Sequence, residues 1–165
     1  VPGISRFGMP LALNIKDADQ VIEAADKAGV TLMPSLNFHF TPNYVKAKEI
    51  IDSGQLGQIT TLMYREFIPA KDLAMQWPPG CWVWDIEKSG GPLYTLAVWS
   101  IDLLRWLSGS EIVEVQPATK YTRLEKYGGT LGYDAYASLR FANGMVGCLQ
   151  YMVQSRIPRP RRVWK

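Results

Sequence analysis

Apolar positions first recur with helical spacing. From Asp17 to Ala28, Val21, Ala25 and Ala28 share one face, widened by Ile22 and Ala24. Asn14 or Asp17 stands where an N-cap belongs, and Gly29 where a helix-ending glycine does. Thr31 to Leu36 follows as a short apolar run, read as a buried strand, and the two make half of a βαβ crossover. Thr41-Pro42 opens a second helix, Thr as cap and Pro at the first turn, with Tyr44, Ala47 and Ile51 along one side and Gly54 and Gly57 at its end. Ile59 to Phe67 alternates as a strand does, yet both faces mix polar and apolar groups. Thr60, Leu62, Tyr64 and Glu66 lie on one, and Thr61, Met63, Arg65 and Phe67 on the other.

Residues 69–92 break the periodicity with prolines and glycines around Trp77, Trp82 and Trp84, and are read as a long loop. Its tryptophans either stack on a ligand or pin the loop to the core. Leu93 to Leu107 is apolar nearly all round, a helix buried on most sides, with Asp102 and Arg105 as its charged pair and Gly109 as its stop. Short strands are expected at Ile112 to Val115 and Ala118 to Leu124, separated by Pro117. Tyr133 to Phe141 alternates clearly, Asn143-Gly144 signals a type I′ hairpin, and Met145 to Gln154 returns as the partner strand. The fold class expected is α+β with an α/β start: an open, mainly antiparallel sheet packed by helices.

Composition narrows the chemistry. Apolar residues make up 47% and charged residues 20% of 165, which describes a globular chain. No apolar run is long enough to span a bilayer, and no basic segment before an apolar stretch opens the chain, so the cytoplasm is the expected location. The net charge of +3 comes from Arg156, Arg159, Arg161, Arg162 and Lys165, so basicity belongs to a tail at 156–165 and argues against a nucleic-acid partner. Cys81 and Cys148 suit neither a disulfide scaffold nor a zinc site. No metal site is expected. Gly128 to Gly132 lies between strands, opens no helix, and reads as a turn. His39, the single histidine, has the chemistry of a general base toward an alcohol, although a lone histidine is more often structural.

Six stretches in order then resemble one family. Pro10-Leu11-Ala12-Leu13-Asn14 with Ala24 to Val30 resembles the segment following the "EKP" motif of the Gfo/Idh/MocA oxidoreductases, the glucose–fructose oxidoreductase and inositol dehydrogenase family. Asn37-Phe38-His39-Phe40-Thr41-Pro42 is similar to its "N-x-R-F-x-P" turn, and Ile51 to Gly57 to the end of its second helix. Trp84-Asp85 with Ser89-Gly90-Gly91, then Ile101 to Leu107, resemble its buried helix and the loop before it, and Phe141 to Gly144 a hairpin of its open sheet. The resemblance implies hydride transfer between NAD(P) and a sugar or cyclitol hydroxyl. It also implies an N-terminal dinucleotide-binding domain, a substrate site on one side of the sheet and an oligomer interface on the other.

Two departures follow from the same motif order. No strand, G-x-G-x-x-G turn and helix stand before Pro10, so residues 1–36 are expected to be the helix–strand end of a Rossmann domain, with 37–155 the substrate and oligomerisation domain. The strand Thr31 to Leu36 would then lack a parallel neighbour. The family's lysine falls on Met9, and its aspartate and histidine on Thr95 and Trp99, so no catalytic set is intact. Met9 and Pro10 mark the cofactor edge. His39, Tyr64, Trp82, Trp84, Thr95 and Trp99 are the expected substrate-side residues. The expectation is a homo-oligomerising or carbohydrate-binding module that binds no cofactor alone. The alternative is a fragment or subunit of an NAD(P)-dependent dehydrogenase completed by a missing or separate Rossmann domain.

Overall fold

The computed structural model describes residues 4–7, 10–124 and 130–154. The basic tail at 156–165 and the glycines at 128 and 129 lie outside them. Strand β1 (Ile4–Phe7) pairs in parallel with β2 (Thr31–Pro34), and helix α1 (Ile15–Ala28) connects them. The strand read as isolated therefore has a parallel neighbour. Four residues are too few to show an alternation, which hid β1. Strand β2 is also shorter than expected and mostly exposed rather than buried. Asn14 caps α1 by accepting the Asp17 N–H at 2.9 Å, and Gly29, in the left-handed region at φ 65°, closes its other end.

A 3-10 turn (Phe38–Phe40) leads into α2 (Pro42–Asp52). Strand β3 (Thr61–Pro69) follows, and its pleat turns Leu62, Tyr64, Glu66 and Ile68 inward. The stretch read as a loop holds α3 (Ala70–Gln76), a second 3-10 turn (Trp82–Trp84) and α4 (Ile86–Ser89). Helix α3 buries only Ala70 and Leu73, three apart, too sparse a stripe to stand out among prolines. Helix α5 (Pro92–Ser108) spans the domain.

Three long strands complete the main sheet: β4 (Ile112–Leu124), β5 (Thr130–Phe141) and β6 (Val146–Gln154). The order is β3-β6-β5-β4, with β3 parallel to β6 and the other two pairings antiparallel. Pro117 does not divide β4, because β4 is an edge strand and its missing N–H interrupts no second ladder. The β5–β6 turn is not type I′. That type needs positive φ at both central residues, and here Gly144 alone has it, at 87°.

One face of this sheet packs under α5. Tyr133, Ala135, Tyr151 and Val153 meet Ala70, Leu73 and Ala97, while Leu139, Phe141, Met145 and Leu149 meet Leu104. The opposite face carries Met63, Phe67, Tyr136 and Val146, all exposed.

Candidate functional site

Helix α5 carries the positions where the family resemblance places chemistry. Thr95 is buried, and its hydroxyl lies 3.1 Å from both the Ser89 and Gly91 carbonyls, so it is spent on the helix start. One turn on, the Trp99 indole N–H donates to Asn37 Oδ1 at 3.1 Å. Asp102 Oδ2 faces His39 Nε2 at 2.7 Å, and the His39 ring stacks on Trp106 with centroids 4.5 Å apart. Trp99, Asp102 and Trp106 are spaced i, i+3 and i+7, one stripe of α5 turned to the Phe38–Phe40 turn. The expected Asp102–Arg105 pair is not formed as such: Arg105 grips Glu111 with two hydrogen bonds, at 2.8 and 2.6 Å.

The other expected residues are dispersed. Tyr64 lies on the covered sheet face and donates to Glu66 at 2.7 Å; burial, reinforced by that carboxylate, drives its phenol well above the usual range. Arg65, one residue along, points to the opposite face and donates to Gln150. Trp84 donates its N–H to the Trp77 carbonyl at 2.8 Å, meets the Trp77 ring edge-on, and both pack on the core. These two pin the segment to the domain, whereas Trp82 stays about half exposed. His39 and Trp99 are thus brought together, and Tyr64, Trp82 and Trp84 are not part of their group. Asn37, Asp102 and Trp106 complete that group without having been singled out for it. The signal available was a polar and aromatic stripe on an otherwise apolar helix.

The segment before α4 rests on one hydroxyl. Ser89 is fully buried, with its Oγ 2.8 Å from the Val83 carbonyl and accepting the Gly91 N–H at 2.9 Å. Ser89→Ala is expected to cost about 1–3 kcal/mol by orphaning that N–H. Urea unfolding midpoints at constant slope measure it.

A cavity of about 640 Å³ lies elsewhere. Pro10, Leu11 and Ile15 form one wall, Tyr94, Val98 and Ile101 of α5 a second, and Val115, Pro117 and Tyr121 of β4 the third. Pro10, expected at the cofactor edge, lines it; Met9 lies outside the described residues. No charged side chain is among the described residues that line this cavity. The described lining offers a pyrophosphate no charged side chain, and the path from β1 to α1 carries no G-x-G-x-x-G. No group of three or more His, Cys, Asp or Glu among the described residues could hold a metal ion.

One long helix packed over an open mixed sheet defines an α+β domain, an architecture that does not by itself fix a function. The chain belongs to the Gfo/Idh/MocA family: the family's C-terminal domain model matches residues 44–164. It is 31% identical over 141 residues to a myo-inositol 2-dehydrogenase of Thermotoga maritima, covering 85% of this chain and 40% of that protein. It is 27% identical over 141 residues to a scyllo-inositol 2-dehydrogenase (NAD(+)) of Bacillus subtilis, covering 84% and 38%. Among solved structures, a probable dehydrogenase from Thermotoga maritima superposes with a TM-score of 0.72 at 28% identity, over 93% of this chain and 43% of that one. The chain spans about 40% of the length of these relatives. Among the described residues, no helix is long and apolar enough to cross a membrane.

Proposed function

We propose that this chain is an oligomerisation or ligand-binding module of sugar- or cyclitol-dehydrogenase type, with assembly the better supported of the two, and not a catalyst by itself. The observation that carries this reading is the asymmetry of the main sheet. One face is filled by α5, while the other exposes Met63, Phe67, Tyr136 and Val146, an apolar surface suited to a second copy of the chain. The identity of the helix residues supports the non-catalytic part. Thr95 and Trp99 stand where the family has an aspartate and a histidine. Both are hydrogen-bonded to their own scaffold, and neither exchanges a proton near neutral pH. The free thiols Cys81 and Cys148 suit a reducing cytoplasm.

Light scattering on the purified chain tests assembly. The expected mass is at least twice 18.6 kDa at micromolar concentration, falling to a single chain in Met63→Glu/Phe67→Glu. A wild-type mass of one chain overturns the reading. Calorimetry with NAD(H) and NADP(H) is expected to give no binding.

A second reading has its own support. The β1–α1–β2 unit is a parallel pair, and parallel pairs usually belong to larger sheets covered on both faces. The chain would then be part of an NAD(P)-dependent dehydrogenase whose dinucleotide-binding half pairs with this unit. Cofactor binding by the chain, alone or with such a partner, favours this reading over the first.

A further inference from the structure

We propose that the 640 Å³ cavity is a binding site for one uncharged, mainly apolar molecule, aromatic or alicyclic, with at most a hydroxyl or two. The sheet creates the site. Helix α5 packs on β3, β5 and β6 and leaves much of the inner pleat of the edge strand β4 uncovered. Val115, Pro117, Thr119 and Tyr121, alternate residues of β4, all line the gap. They pair with Leu139, Ala137, Ala135 and Tyr133, so the gap continues the face that carries the core. The segment 10–18 closes the third side, and the Tyr94 hydroxyl ties it to α5 by donating to the Leu13 carbonyl at 3.3 Å.

The lining decides the chemistry. None of its described residues is charged, so an ionic ligand meets no counter-charge. Its polar groups are few. Asn14 is spent on capping α1 and the Tyr94 hydroxyl on Leu13, while Thr119 and Tyr121 bring two hydroxyls along one wall. A sugar or cyclitol carries a hydroxyl on nearly every ring carbon, and each one buried here without a partner opposes binding. Tyr94, Ile101, Val115 and Tyr121 are all exposed, although they face one gap from two walls. An apolar occupant removes that surface from water, and the volume lies within the range of about 300–1,000 Å³ usual for small-molecule sites. The site is also separate from the residues that the family resemblance picks out. Tyr94, Ala97, Val98 and Ile101 are spaced i, i+3, i+4 and i+7, a different stripe of α5 from Trp99, Asp102 and Trp106. Neither Thr95 nor Trp99 lines the cavity. Assembly leaves it open, because Met63 and Phe67 lie on the opposite face of the sheet.

Fluorescence titration with N-phenyl-1-naphthylamine, a neutral aromatic dye that brightens in apolar surroundings, tests the site. Saturable binding of one dye per chain is expected, with displacement by the bicyclic alcohol borneol and none by myo-inositol at the same excess. Val115→Glu and Ile101→Glu each place a charge in a wall at an exposed position, and each is expected to weaken binding at least about tenfold. Met63→Glu/Phe67→Glu, which tests assembly, is expected to change it less than about twofold. Failure of the dye to saturate overturns the site, and displacement by myo-inositol overturns the ligand class. Undiminished binding in both wall variants overturns the location. Should those variants fail to fold, the location is decided in the wild-type chain by whether the dye shifts the amide signals of 10–18 and 115–121 in NMR.

Discussion

Phe141→Ala is expected to remove about 3–5 kcal/mol of stability, the largest loss foreseen for a single side chain here. Phe141 is 1% exposed and sits where β5 ends, among Leu139, Met145, Leu149 and Leu104 of α5. Across the sheet stands Gly147, and a Cβ there would lie 3.0 Å from the Phe141 ring and 3.1 Å from the Leu62 carbonyl. The ring fills the space that the glycine vacates, so truncation opens a cavity that only the strands could close. They are not free to close it, since the Phe141 N–H donates to the Met145 carbonyl across the turn at 3.0 Å. A domain of this size has about 5–15 kcal/mol in total, so the variant loses a third or more of a mid-range stability and should unfold at a much lower urea concentration. Urea unfolding followed by circular dichroism measures this, with Phe141→Leu expected to lose less than half as much. A loss below about 1 kcal/mol would show that the hairpin end is not part of the core.

Legibility in the sequence followed the strength of local pattern. Helix α5 was plain because 93–107 is a long run apolar nearly all round, strand β5 because Tyr133 to Phe141 alternates without a break, and α1 because Asn14 and Gly29 mark both ends. Strand β1 and helix α3 were hidden because their formation depends on partners far along the chain, β2 for one and the sheet for the other. Pro117 misled for a related reason. A proline breaks a central strand, but nothing local says that β4 is an edge. The Asn143-Gly144 turn shows tertiary context overriding a dipeptide preference: the Asn143 side chain accepts the Met145 N–H at 3.1 Å, with φ negative at Asn143.

Of the candidate group, His39 and Trp99 were legible in the sequence, while Asn37, Asp102 and Trp106 were not. Motif order placed His39, Thr95 and Trp99 on the right elements, but no spacing rule joins position 39 to position 102. The mixed strand at 59–67 could not reveal that Glu66 belongs inside. A carboxylate turned toward the core is intelligible only once Tyr64 is there to donate to it.

That partly buried polar pair leads to the second large effect, a steep loss of stability in alkali. Burial, with the Glu66 carboxylate nearby, holds the phenols of Tyr133 and Tyr151 far above the ordinary tyrosine range. The two are 1% and 2% exposed and stack with centroids 5.8 Å apart, so neither ionises without opening the sheet–helix interface. In the unfolded chain both ionise at about pH 10, the ordinary value for a tyrosine in water. The folded chain therefore keeps protons that the unfolded chain releases. Stability is full below that value and falls as pH rises, by about 1.4 kcal/mol per group per pH unit, or about 3 for the pair. Tyr64, half-buried, adds a smaller effect of the same sign. Urea midpoints between about pH 9 and pH 11, with tyrosinate absorbance in parallel, should show ionisation of these phenols arriving together with loss of ellipticity. Tyr133→Phe should flatten the slope and, because the Tyr133 hydroxyl has no hydrogen-bond partner among the described residues, cost little or even add stability at neutral pH. Ionisation of all eight tyrosines near pH 10 with the fold intact would show that the interface beneath α5 is open to water.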